Sequence, residues 1–265
     1  MKTVIITGAA SGIGAALARE YSKKKVNLVL ADTNIEQLEI LVSEFSRVRY
    51  LCIKTDIAKE EDCRFLIEKT IEMFETIDVL VNNAGISMRA MFGDLKLSVF
   101  HELMDVNFWG TVYCTKFALP YLLQSQGSVA GVISIAGHIG LPGRTAYSAS
   151  KFAMRGFLDT LRSEYQPKGL HVLVAAPSFV NSNIRKTARI ADGSFQGETP
   201  INEEKAIPAE IVAQKIIQGI EKRKRSLILG FSQGKLPVFL SKIVPQFVDN
   251  QCYKLMRKEQ NTPVK

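Results

Sequence analysis

The sequence predicts an α/β protein: a single domain built on a doubly wound sheet of seven parallel strands with helices on both faces. Two observations predict it. Seven short apolar runs read as buried strands, and segments of helical hydrophobic period separate them. Strands that alternate with helices pair in parallel, and right-handed crossovers place the helices on both faces. With 265 residues, 46% of them hydrophobic, the chain is long enough to bury one large core.

Taken in order, the strands are expected at 4–7, 27–31, 50–53, 79–81, 129–135, 172–176 and 227–229. The helices are expected at roughly 12–23, 35–46, 60–75, 98–123, 146–166 and 208–222, punctuated by Gly, Asn, Asp and Pro. Residues 178–207 are polar, carry Gly193, Gly197 and Pro200, and follow a sheet strand at the edge where open α/β folds bind ligands. They read as a substrate lid. In a tail over about 235–258, Leu236, Phe239, Leu240, Ile243, Val244, Phe247 and Val248 recur at helical spacing among Lys235, Lys242, Lys254, Arg257 and Lys258. This amphipathic tail reads first as packing on its own domain or a sister subunit. A cover for the substrate pocket comes second and peripheral contact with an anionic membrane last.

Several function classes lose support at this level. No apolar run approaches the roughly 20 residues of a membrane span, and the N-terminus lacks a secretory pattern. Cys52, Cys63, Cys114 and Cys252 show no CxxC spacing, and His101, His138 and His171 form no ligand pair, so no metal site is expected. These features point to a reducing cytoplasm. The net charge of +8 includes the short run 222–225, which reads as a solvated helix end and not as a nucleic-acid face.

The chemistry is carried by three groups of residues. Thr7-Gly8-Ala9-Ala10-Ser11-Gly12-Ile13-Gly14 joins the first strand to the first helix, where backbone N–H groups and the helix dipole attract a pyrophosphate. Gly8 permits the turn, Gly12 the close approach of phosphate and Gly14 the packing of helix on strand. The second strand finishes at Asp32, whose carboxylate can accept from adenosine ribose hydroxyls and would repel a 2′-phosphate. Neither Ser11 nor Thr33 supplies a cation to offset that repulsion, so NAD(H) is favoured over NADP(H). Tyr147 and Lys151 stand four residues apart on one helix face, where an ammonium beside a phenol favours proton transfer nearer neutral pH.

Together with Asp56, Asn82-Asn83-Ala84-Gly85, Asn107, Ser134 and Tyr147-Ser-Ala-Ser-Lys151, these motifs resemble the short-chain dehydrogenase/reductase family over nearly the whole chain. The resemblance implies a Rossmann-type fold and hydride transfer between a nicotinamide dinucleotide and a carbonyl or secondary alcohol. It implies a tetrad: Tyr147 as general acid/base, Lys151 lowering its pKa and holding the nicotinamide ribose, Ser134 orienting the substrate oxygen, and Asn107 anchoring a relay water. It also implies that Asp56 and Ile57 flank the adenine, that Asn83, Ala84 and Gly85 line the cofactor cleft, and that Val180 contacts the carboxamide after Pro177. The chain departs from the family pattern in Pro177-Ser178, where Pro-Gly is usual, and in Ser182, where Thr is frequent. A homodimer or homotetramer is the assembly the resemblance implies. Phe92, Trp109, Ile139, Leu141, Phe179 and Ile184 read either as an apolar pocket for a steroid-like, lipid-like or bulky ketone substrate, or as core.

Overall fold

Side chains alternate along each strand and so feed two cores, one on each face of the sheet. In the computed structural model, which describes residues 1–46, 48–200 and 206–264, Val4 and Ile6 of β1 (Lys2–Thr7) join one apolar cluster while Ile5 joins the other. β2 (Val26–Asp32) divides in the same way, with Leu28 and Leu30 on one side and Val29 and Ala31 on the other. With β3 (Arg49–Lys54), β4 (Val79–Asn82), β5 (Ser128–Val132), β6 (His171–Ala176) and β7 (Ser226–Ile228) they form a seven-stranded sheet in the order β3-β2-β1-β4-β5-β6-β7. Every pairing is parallel. The Rossmann-type sheet expected from the sequence is therefore present. Its order reverses between β1 and β4, which opens a crevice at their carboxyl ends.

One face is covered by α1 (Gly12–Ser22), α2 (Ile35–Val42) and α7 (Ala209–Glu221), and the other by α3 (Glu60–Phe74), α5 (Gly110–Gln124) and α6 (Thr145–Tyr165). α3 carries Glu60, Glu61 and Asp62 in its first turn, where carboxylates meet the positive end of the helix dipole. α2 stops at Val42, short of the predicted 46, because Phe45 turns back and its N–H bonds the Val42 carbonyl at 2.9 Å.

Two other differences matter for the site. The helix expected at 98–123 is broken into α4 (Leu97–Met104), a π-helical turn at Asp105–Trp109, and α5. Such widened turns are held by tertiary contacts and occur often at functional sites; this one carries Asn107 into the interior. The strand expected at 129–135 ends at Val132, and Ser134, in extended backbone, caps a short 3-10 turn by accepting from the Ala136 N–H at 3.2 Å. The Ile135 N–H still reaches the Pro177 carbonyl at 3.1 Å, but Pro177 has no N–H to continue the ladder.

The tail folds as α8 (Leu236–Leu240) and α9 (Pro245–Arg257). Val248 and Cys252 of α9 pack on Ile139. Of the segment read as a lid, residues 201–205 lie outside the described residues. The remainder carries a 3-10 turn at Asn183–Arg185, is tied to the body by the Met88–Arg189 bridge and is closed on itself by the Val180–Ile207 bridge.

Candidate active site

A cleft of about 660 Å³ occupies the crevice at the β1/β4 switch point. At its floor the glycine turn is held from behind. Asn83 donates from Nδ2 to the carbonyls of Thr7 and Gly8 at 3.0 and 3.1 Å, and the Thr7 hydroxyl accepts from the Asn83 and Ala84 N–H groups at 3.1 Å each. Gly8 (φ +64°) packs so tightly that a Cβ there would lie 2.6 Å from the Ala84 Cα. Ser11 precedes α1 with no side-chain cap, and the first turn holds no acidic residue. The leading N–H groups of α1 are thus left for a ligand, which is the arrangement a pyrophosphate requires. Gly8, Ser11, Gly12 and Ile13 line the cleft, whereas Gly14 lies behind them.

Asp32 also lines the cleft, with its carboxylate fixed by N–H donation from Ala10 and Asn34, both at 3.0 Å. Asp56, Ile57, Ala84, Gly85, Pro177 and Val180 form further wall, as the resemblance implies. The residues present therefore fit a nicotinamide dinucleotide, from the open helix terminus to the acidic acceptor at the second strand.

Ser134, Tyr147 and Lys151 meet at the far end of the same cleft. Lys151 is buried, donates from Nζ to the Val132 carbonyl at 3.1 Å and stands 5.9 Å from the centre of the Tyr147 ring. Burial pushes its ammonium down to about 8. Asn107 is fully buried behind this group: its Oδ1 accepts from the Ile86 N–H at 2.8 Å, and its Nδ2 donates to the Ile86 carbonyl and the Ser150 hydroxyl at 3.0 and 2.8 Å. Gly85 is wedged between the two, since a Cβ there would lie 2.9 Å from Asn107 Oδ1 and 3.2 Å from Lys151 Nζ.

The surroundings of Tyr147 include a charge that the sequence reading did not name. Burial raises the phenol above its ordinary value, while the hydrogen bond with Ser134 and the charge of Arg144 pull it back. Arg144 is a second cation near the phenol, beside Lys151. Arg144 itself is paired with Glu259, whose carboxylate also receives Arg89. Sequence reading missed all three. Arg144 had a signal, since it lies three residues before Tyr147, but Glu259 had none inside the charged run 257–259.

The six candidate pocket residues separate. Leu141, Phe179 and Ile184 line the cleft, while Phe92 and Trp109 are exposed and outside it, Trp109 stacking on Tyr113. Ile139 lines a second, mostly apolar cavity of about 760 Å³ under α8 and α9, together with Leu240, Val248 and Cys252. Ile135, Leu141 and Phe179 border both spaces, so the cavity adjoins the cleft.

Residues 2–192 match the profile of the family described as short chain dehydrogenase. This chain belongs to the short-chain dehydrogenase/reductase family. It is similar to dehydrogenase/reductase SDR family member 7B of Bos taurus, 33% identical over 268 residues that cover 98% of this chain and 82% of the relative. It is also similar to 11-beta-hydroxysteroid dehydrogenase A of Sesamum indicum, 37% identical over 187 residues, 69% of this chain and 53% of that one. Among solved structures, an alcohol dehydrogenase from Thermococcus sibiricus complexed with 5-hydroxy-NADP superposes with a TM-score of 0.75 at 26% identity, covering 86% of this chain and 96% of that chain. Membership makes the protein an oxidoreductase with a dinucleotide-binding fold that acts on a small molecule.

Proposed function

We propose that this family member moves a hydride between NAD(H) and a carbonyl or secondary alcohol with a bulky apolar substituent. The observation that carries the reading is the adjacency of two spaces: a cleft with the glycine turn and Asp32 at one end and Ser134, Tyr147 and Lys151 at the other, and an apolar cavity that shares Leu141 and Phe179 with it as wall.

The bound nicotinamide would supply the hydride. Tyr147 donates its phenolic proton to the substrate oxygen in reduction and takes it back in oxidation. Ser134 hydrogen-bonds the same oxygen and stabilises charge developing there. Lys151, held by the Val132 carbonyl, would hold the nicotinamide ribose, and Asn107 would anchor a water through which the proton reaches solvent. Asp32 would accept from the adenosine ribose and would disfavour the 2′-phosphate of NADP(H). The Thermococcus relative was solved with an NADP derivative, so the preference drawn from Asp32 is specific to this chain's residues.

The hydroxysteroid name borne by the Sesamum relative agrees with an apolar substrate. In a homologous series of ketones, kcat/KM should rise roughly fourfold per added methylene until the cavity is filled, at ~0.8 kcal/mol per buried methylene. A flat series would assign the cavity no part in substrate binding.

The outer face of the tail calls for a partner. Phe231, Phe239, Ile243 and Phe247 are 74%, 60%, 61% and 53% exposed. Within residues 231–258 the charged side chains are Lys235, Lys242, Lys254, Arg257 and Lys258 against the single acidic Asp249. A second copy would set like charge against like charge, whereas an anionic bilayer surface complements both the basic residues and the apolar ones. Peripheral membrane contact, ranked last from sequence, is therefore the reading we adopt for this face. No helix among the described residues is long and apolar enough to cross a membrane. The protein should float with anionic vesicles and less with neutral ones, and Phe239→Glu should weaken flotation; indifference to lipid charge and to the substitution would reject this contact. A homodimer or homotetramer would use another face, as light scattering can measure. A cytoplasmic location is proposed with it, where the four free thiols stay reduced.

A further inference from the structure

Arg89, Arg144 and Glu259 form an ion cluster at the wall of the catalytic cleft. Their side chains are only 4%, 12% and 6% exposed. Arg144 donates from Nη2 to both Glu259 carboxylate oxygens at 3.2 and 3.0 Å, and Arg89 donates from Nε to the same carboxylate at 3.1 Å. Arg89 also donates to the Gln260 carbonyl, and Arg144 to the Gly143 carbonyl at 3.2 Å. Two guanidiniums thus share one carboxylate, leaving a surplus positive charge in a buried place.

The members come from distant parts of the chain. Arg89 follows β4, Arg144 immediately precedes α6, and Glu259 lies beyond α9, so the contact is made only when the C-terminal segment is docked. Its neighbours dock with it: Asn261 donates to Glu198 at 2.8 Å, and Val264 is buried close to Gly143. Arg144 and Tyr147 are separated by less than one helical turn, and Arg144, Tyr147 and Glu259 line the same cleft.

We propose that Arg144 and Glu259 are positioning residues for Tyr147: the C-terminal carboxylate clamps the guanidinium beside the phenol, and docking of this segment sets the charge that Tyr147 feels. The proposal rests on the assignment of Tyr147 as acid/base. The groups facing Tyr147 are Arg144 before α6, Lys151 within α6 and the Ser134 hydroxyl after β5. Those facing Arg144 are Glu259, Arg89 and Tyr147. The Arg189–Glu102 pair on the same cleft wall is internally balanced, with Nη2 to Oε1 at 2.6 Å. Removing the Arg144 cation should make the tyrosinate harder to form. Removing the Glu259 anion should make it easier, because both guanidiniums then act unopposed.

The test is a titration of Tyr147 in protein labelled with [13Cζ]tyrosine, its resonance assigned by its loss in Tyr147→Phe, with circular dichroism on each sample. Arg144→Met should move the midpoint to higher pH, Glu259→Gln to lower pH, and Arg144→Lys should restore the wild-type position. A merely structural cluster would give no opposed shifts. Coincident curves, or no titration in any folded variant before unfolding, would overturn the proposal. Arg144→Gln replaces Arg144→Met if the latter does not fold. Midpoints that coincide while Tyr147→Phe is inactive sink the coupling alone. An active Tyr147→Phe sinks the assignment of Tyr147 instead.

Discussion

Replacing Tyr147 by Phe should lower turnover by at least about 10²–10⁴-fold, the usual contribution of a positioned general acid/base, with NAD(H) binding nearly unchanged. The phenol hydroxyl is the group lost, and the ring that fills the site remains. Tyr147 shares its cleft end with Ser134, its hydrogen-bond partner, and Lys151. The phosphate-binding turn lies at the other end of the space, on β1 and α1, and makes no use of the hydroxyl. Steady-state kinetics paired with a nicotinamide fluorescence titration separates the two. Full turnover would remove Tyr147 from the mechanism, and loss of both turnover and binding would make it a structural residue.

Gly14→Ala should damage the fold and the cofactor site together. A Cβ at position 14 would lie 2.0 Å from the Gly8 carbonyl oxygen and 2.7 Å from Asn83 Nδ2. Neither neighbour is the free end of a flexible side chain: one is backbone, and the other is pinned to Thr7 and Gly8. Overpacking of this kind costs about 1–3 kcal/mol or more, and at this chain size each kcal/mol lowers Tm by roughly 2–4 °C. Because the clash pushes α1 away from the turn, NAD(H) affinity should fall with stability. Thermal unfolding with and without NADH reads both, and wild-type values for each would contradict the close packing at Gly14.

Much of this was legible in the sequence for reasons that are local. Parallel strands buried on both faces read as continuous apolar runs, and seven of them were placed to within a few residues. The glycine turn, Asp32, Ser134 and Tyr147–Lys151 were legible because each owes its position to spacing along one strand or helix. What was not legible depends on contacts between distant segments. The widened turn at Asp105–Trp109 exists because Asn107 is bonded by Ile86 and Ser150, and helical periodicity carries no sign of that. Glu259 sits among Arg257 and Lys258 like any solvated charge, and its burial is decided by Arg89, 170 residues away. Phe92 and Phe179 are equally apolar, yet only Phe179 faces the cleft, because composition does not fix direction.

The most direct test of the central claim is a titration of NAD(H) and NADP(H) into the wild-type protein and into Asp32→Ala, followed by nicotinamide fluorescence. NAD(H) should bind the wild type preferentially, and the preference should narrow once the carboxylate is gone. Tighter binding of NADP(H) by the wild type would show that Asp32 does not govern the ribose pocket. Failure to bind either dinucleotide would contradict the account as a whole.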